Sequence, residues 1–245
     1  MTTLSSPLNY SAPMNCDLIA PYYEFAEHIS FGRSLERARF AFLHEAKCAR
    51  RALVCGGGDG RFLARLLRAN PSVQIDFVDL SPKMIALARR RIVKAGETNL
   101  NRVRFHAADA RKFAPQACSY DLIVTNFFLD CFPDQELTDV IAHLSKCAAP
   151  DAKWLISDFR ESGSSLGRIL TTAVTRSLYA AFRLTTGLRV TRLPAYVSAL
   201  TRAGYSVQRE KKLLGGLLHS SLWRRSERTP GSGNDLSEVN YAQSF

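Results

Sequence analysis

Residues 54–61 read VCGGGDGR, which places four of the chain's 14 glycines in one short stretch directly after the apolar run RALVC (51–55). A glycine-rich turn between a strand and a helix lets backbone approach a ligand where any Cβ would collide. The spacing narrows the ligand. The dinucleotide pattern G-x-G-x-x-G, begun at Gly56 and Gly58, needs a third glycine at the position occupied by Arg61. The phosphate-loop pattern also fails, because no Lys-Ser/Thr pair follows. G-x-G-x-G on Gly56, Gly58 and Gly60 is what fits.

Outward from the turn, apolar runs alternate with helical patterns. RFLARLLRAN puts Phe62, Leu63, Leu66 and Leu67 on one face and Arg61, Arg65 and Arg68 on the other, which predicts a helix. VQIDFVD (73–79) reads as the next strand. SPKMIALARRRIVKAG reads as a helix with Ser81 as N-cap, Pro82 at the first helical position and Gly96 as C-cap. RVRFHA, YDLIVTNFF and KWLISDF (153–159) are three further strands, and Leu137, Val140, Ile141 and Leu144 stripe the helix between the last two. YSVQREKKLL and LLHSSLW flank a Gly-Gly turn and read as a hairpin. The expectation is an α/β fold: a Rossmann-like, seven-stranded, mostly parallel sheet with helices on both faces and a C-terminal antiparallel hairpin. Around the core domain (49–224) the sequence predicts a loose arm (1–16), an N-terminal helical lid (17–48), a helical insert (160–192) and a disordered Gly/Ser/Pro tail (225–245). In the insert, Arg168, Arg176 and Arg183 share one face of a long amphipathic helix over 164–185.

Bulk properties exclude several classes. The chain has 245 residues, 46% of them hydrophobic, enough for one full-sized core. No run approaches the ~18 apolar residues of a membrane span. The opening MTTLSSPLNYSAPMNC lacks a charged and an apolar region, so a secretory leader is not expected and a cytoplasmic location is. Cys16, Cys48, Cys55, Cys118, Cys131 and Cys147 form no CxxC pair, which predicts reduced thiols and no metal site. The net charge of +11 is uneven: residues 160–212 carry ten Lys/Arg against two acids. Such a block suits an acidic partner (nucleic acid, an anionic membrane surface or a phosphate-bearing substrate) and equally a solvated face.

Three more pieces follow the glycine turn. Asp79 closes the second strand, where a carboxylate can accept both hydroxyls of a ribose or simply cap the next turn. Asp109, with the Ala110 N–H beside it, can accept an adenine amino group. YDLIVTNFFLDCF ends a strand in Asn126 and then aromatics. In order and interval, VCGGGDG, VDLSPKM, AADA and YDLIVTNFF resemble motifs I to IV of the class I S-adenosylmethionine-dependent methyltransferases, over about residues 48–160. The resemblance implies S-adenosylmethionine as cofactor. It implies a binding set of Gly56, Gly58, Asp59, Gly60, Asp79, Leu80, Met84, Asp109, Ala110, Asn126 and Phe127. The chain departs from the family at Val54, where an acid usually helps hold the methionine end; Asp59 or backbone is the expected replacement.

Methyl transfer is in-line displacement, so alignment in a water-poor pocket matters most, and a base is needed only for a protonated acceptor. Asp130, just past motif IV, is the candidate base, with a helix-start acid as the plainer reading; Phe127 and Phe128 are candidates to line the acceptor site. His106 and His143 read as structural. NFFL lacks the prolines that follow the fourth strand in nucleobase amine methylases, which argues against that chemistry. IAPYYEFAEHISFGRSLERAR is similar to the entry segment of the ubiquinone/menaquinone C-methyltransferase branch. The expected activity is methylation of a small, hydrophobic acceptor, with an anionic membrane surface as peripheral partner of the Arg-faced insert. An RNA methyltransferase using the basic 160–212 surface ranks second, and a non-catalytic binding protein third.

Overall fold

A computed structural model of the chain describes residues 33–115, 119–160 and 196–225. Seven strands form one sheet: β1 (Arg51–Cys55), β2 (Gln74–Asp79), β3 (Val103–Ala107), β4 (Tyr120–Asn126), β5 (Ala148–Phe159), β6 (Tyr205–Leu213) and β7 (Leu218–Arg225). Their order is β3-β2-β1-β4-β5-β7-β6. β1 to β5 pair in parallel, while β7 lies antiparallel to both β5 and β6. The expected architecture is therefore present, down to the closing hairpin. The sheet order reverses between β1 and β4, and in open parallel sheets a crevice forms at that switch point, beyond the strands' carboxyl ends.

Helices α1 (Ser34–Arg39), α2 (Arg61–Ala69), α3 (Pro82–Val93), α4 (Asp134–Lys146) and α5 (Tyr196–Arg202) pack on the sheet. Parallel strands are buried on both faces and so read as continuous apolar runs. In β1, Ala52 and Val54 join the core beneath Phe62, Leu63, Leu66 and Leu67 of α2 and Ile85, Ala88 and Ile92 of α3. Leu53 and Cys55 join the opposite core with Leu137, Val140, Ile141 and Leu144 of α4 and Tyr196, Ala199 and Leu200 of α5. The Ser81 cap is as expected: its hydroxyl accepts the Met84 N–H at 3.1 Å, with Pro82 opening α3. The outer edge strand β6 is exposed along most of its length and studded with Arg209, Lys211 and Lys212, which discourages edge-to-edge pairing.

Some boundaries differ from the sequence reading. The pattern SLERARFAFLHEAKCA gives only the short α1 and a 3-10 turn at Leu43–Ala46, which buries Ala46. α3 ends at Val93, because Ala95 and Gly96 donate back three residues, to the carbonyls of Ile92 and Val93, and close the last turn tightly. β4, by contrast, ends in Asn126 as read, and Phe127 then turns to φ +54°. The helical patterns over 17–32 and 164–185 and the tail from 226 lie outside the described residues.

One buried amide ties the segment before β1 to the end of α2. Asn70 Nδ2 donates to the Ala46 carbonyl (3.0 Å) and the Ala49 carbonyl (2.7 Å), and Oδ1 accepts from Ser72 N (3.1 Å), Ser72 Oγ (3.0 Å) and Val73 N (3.1 Å). Asn70→Ala removes these bonds from the buried Ala46, Ala49 and Val73 backbone groups, and is expected to cost about 2–3 kcal/mol, read as a lower urea midpoint with an unchanged slope.

Candidate functional site

The glycine turn sits at the carboxyl end of β1. Gly56, Gly58 and Gly60 have φ of +62°, +55° and +79°, the left-handed region that favours glycine. The glycines also serve the protein's own packing. A Cβ on Gly56 would fall on the Phe128 ring, one on Gly57 on the Phe77 ring, and one on Gly60 would lie 2.6 Å from the Ala88 Cβ of α3. Gly60 thus lets α2 and α3 approach, while Gly56 lets the segment after β4 close over the turn.

Asp79 anchors the same turn from β2. Its Oδ2 accepts the Gly58 N–H at 3.1 Å, and its Oδ1 accepts the Ser81 N–H at 2.9 Å. These two bonds fix the orientation of the carboxylate at the mouth of the turn. Leu80, next along the chain, is 37% exposed. Met84, in the first turn of α3, is buried, its N–H taken by the Ser81 cap.

The structure gives Asp59 and Asp109 engagements the sequence reading did not anticipate. Asp59 is 5% exposed, and its carboxylate is shared by Arg61 Nε at 3.0 Å and Arg91 at 2.9 Å. These bonds brace the turn against α3, and Asp59 also lines the depression at the turn. Asp109 is held by its neighbour two residues on: Arg111 Nε lies 3.0 Å from Oδ1 and Arg111 Nη2 2.6 Å from Oδ2, while Arg111 Nη1 reaches Glu136 of α4 at 2.7 Å. Burial opposes charge on Asp109, but the hydrogen bonds from the Arg111 side chain and backbone win and hold its carboxyl below the usual range. An adenine amino group must then share an occupied carboxylate. Ala110 is buried beside it.

Beyond β4, Phe127 N–H donates to the Ser157 carbonyl at 2.6 Å, and its ring packs on Phe159 with centroids 5.5 Å apart. Phe128 meets Phe132 edge-on at 5.0 Å. Asn126, half-buried, lines a depression with Arg39 and the turn Val54–Asp59. Asp130 is 6% exposed, with Cys131 Sγ 3.6 Å from its Oδ1. His106 is tied to Asp76 at 2.7 Å and His143 to the Phe113 carbonyl at 2.7 Å. Among the described residues no cluster of three or more His, Cys, Asp or Glu suits a metal ion.

Sequence reasoning missed Asp158. It lies fully enclosed near the end of β5, facing α5. Burial pushes its carboxyl well above the ordinary 3.8, and the negative charge of Asp130 adds to this. Tyr196 of α5 and Arg160 stand in the same neighbourhood. The folded chain therefore keeps a proton here that the unfolded chain releases above 3.8. Stability must fall as pH rises through that window, by at most about 1.4 kcal/mol per pH unit. Asp158→Asn, which keeps the shape but removes the titrating group, is expected to be more stable than the parent at pH 7–8, and to lack this slope in urea midpoints taken from pH 5 to 8. Equal slopes in the two proteins would refute the assignment. The only sequence signal was an acid inside the apolar run KWLISDF.

Comparison with known proteins agrees with this geometry. Residues 53–154 match a family model described as a methyltransferase domain. The chain is 37% identical over 83 residues to polyamine aminopropyltransferase 2 of Bacillus cereus, covering 32% of this chain and 23% of that protein. It is 30% identical over 151 residues to demethylmenaquinone methyltransferase of Deinococcus radiodurans, covering 60% of each. Among solved structures, an O-methyltransferase family protein from Burkholderia thailandensis superposes with a TM-score of 0.66 at 22% identity, over 85% of this chain and 60% of that one. The chain thus spans between 23% and 60% of the length of these relatives.

Proposed function

We propose, for a chain whose core is a class I S-adenosylmethionine-dependent methyltransferase domain, that it methylates a small, apolar acceptor. The observation that carries this is Asp79: a strand-end carboxylate pinned by the Gly58 and Ser81 amides at the switch point, directly beside a turn of three left-handed glycines. When bound, S-adenosylmethionine supplies a methyl group activated on a sulfonium. Asp79 would hold the ribose diol, the Gly56–Gly58 backbone the amino-acid end, and Leu80 and the Asp109–Ala110 segment the base. Two aromatic pairs, Phe127–Phe159 and Phe128–Phe132, follow β4 and would help to keep water from the acceptor side. These pairs support an apolar acceptor, as does the similarity to a relative whose name specifies demethylmenaquinone.

Asp130 is the proton acceptor in this reading. Burial favours the protonated form of Asp158, and the Asp130 charge beside it adds to this; Asp130, on the 3-10 turn at Leu129–Cys131, is the member proposed to receive an acceptor's proton.

The location and partners follow from sequence rather than geometry. No helix among the described residues is long and apolar enough to cross a membrane. The Arg-faced pattern over 164–185 suits a peripheral contact with anionic lipid in the cytoplasm, and salt-sensitive flotation with anionic vesicles tests it. For the activity, methyl-labelled S-adenosylmethionine is incubated with protein and cell extract, and the products are separated. Label in lipid or small apolar molecules supports the reading. Label in RNA overturns it in favour of the basic surface, and no label beyond background overturns catalysis.

A further inference from the structure

The charge of the folded domain is sorted between its two helical layers. α2 (RFLARLLRA) and α3 (PKMIALARRRIV) together carry seven Lys/Arg and no acid, and Lys94 follows directly. Across the sheet, α4 carries Asp134, Glu136 and Asp139 against Lys146. The basic layer is separate from the basic block at 160–212.

The helical period fixes where these cations stand. Phe62, Leu63, Leu66 and Leu67 take the inward side of α2, so Arg61, Arg65 and Arg68 stripe the outward one. In α3, Met84, Ile85, Ala88 and Ile92 are buried, while Lys83, Arg89, Arg90 and Lys94 are exposed. The same outward arc holds Ala86, exposed, Leu87, half-buried, and Val93, 46% exposed. Neither helix contains an acid, a hydroxyl or an amide side chain. Gly60 lets the two helices lie against each other, so their outward stripes form one surface. Two of the guanidiniums are propped on rings: Arg65 lies 4.7 Å from the Phe40 centroid and Arg89 4.3 Å from that of Phe105. Asp59 is taken by Arg61 and Arg91, whereas Arg65, Arg68, Arg90 and Lys94 make no ion pair among the described residues.

Like charge gathered on one face repels itself and attracts a partner that supplies the opposite sign. The side chains between the cations select the partner. Cations interleaved with small aliphatic groups suit the surface of an anionic bilayer, where headgroups take the charge and alkyl stems reach the acyl boundary. A nucleic-acid reader presents aromatic, hydroxyl or amide groups beside its cations, and these two helices present none outward. We propose that the α2–α3 surface docks the chain on an anionic membrane, with Arg65, Arg68, Arg90 and Lys94 against lipid headgroups and Val93 in the interface. The docking does not depend on which acceptor is methylated.

Flotation of the full chain with vesicles of mixed phosphatidylserine and phosphatidylcholine tests this. Binding is expected at low salt, falls steeply as salt rises, and is absent with phosphatidylcholine alone. The triple variant Arg68→Gln, Arg90→Gln, Lys94→Gln is expected to bind about 100-fold more weakly, as the loss of three cations at a lipid surface implies. The triple variant Arg202→Gln, Lys211→Gln, Arg224→Gln removes equal charge elsewhere and is expected to bind near the parental level. Thermal unfolding establishes that both variants are folded, and methyl transfer is read separately, so a lost dock and a lost activity are told apart. No binding by the parent, or equal weakening in the two variants, would overturn the proposal. Parental binding by the α2–α3 variant would leave any membrane contact to residues 164–185 and overturn it as well. Tighter binding to total RNA than to the vesicles, lost in the same variant, would overturn it in favour of nucleic acid.

Discussion

Asp79→Ala is expected to weaken S-adenosylhomocysteine binding by about 100-fold or more, the largest loss of any single side chain at the site. Two effects add. The ribose loses two charge-assisted hydrogen bonds, each worth about 1.5–3 kcal/mol. The turn loses its brace as well, because the Gly58 and Ser81 amides, at 3.1 and 2.9 Å, no longer have an acceptor. Asp79→Asn separates the contributions. An amide offers one oxygen and one NH2, so whichever way it faces, a donor points at one of the two backbone N–H groups. The Asn variant is therefore expected to bind nearly as poorly as the Ala variant. Near-parental binding by Asp79→Asn would show that charge and geometry at this position are not what holds the donor.

Gly56→Ala is expected to unfold at a temperature roughly 5–15 °C below the parent, from a loss of about 2–4 kcal/mol. Half of that cost is conformational, since φ is +62° at this position. The other half is steric, since the new Cβ falls on the Phe128 ring. The halves separate in a double-mutant cycle with Phe128→Ala. In that background Gly56→Ala should cost about 1–2 kcal/mol less, the conformational part alone remaining. Full additivity would mean that the segment after β4 does not close over the turn as described.

The parts of the fold legible in the sequence are those dictated by local rules. Strand–helix alternation, the Ser81–Pro82 start of α3, the inward row Phe62, Leu63, Leu66, Leu67 and the Gly-Gly hairpin all follow from periodicity and turn chemistry, and each is present. What was not legible depends on residues distant in sequence. Asn70 reaches Ala46 and Ala49, more than twenty residues back. Arg39 of α1 meets the Phe127 ring just beyond the end of β4, a contact between segments far apart in sequence. The enclosure of Asp158 needs Asp130 from the turn after β4 and Tyr196 from α5. The glycine turn shows the same limit from the other side. Its spacing marked a ligand site, yet Gly56 and Gly60 are as much required by Phe128 and Ala88 as by any ligand. Asp59 and Asp109 were plausible donor contacts by position, and their arginine partners two residues on, Arg61 and Arg111, were visible in the sequence beside them.

The central claim is that the bare-backbone turn after β1 holds the donor with its sugar on Asp79. A crystal structure of the chain grown with S-adenosylhomocysteine tests it most directly. The account predicts the ribose hydroxyls on the Asp79 carboxylate and the amino-acid end against Gly56–Gly58. Density for the ligand elsewhere on the protein, or on the turn with its sugar away from Asp79, would contradict it.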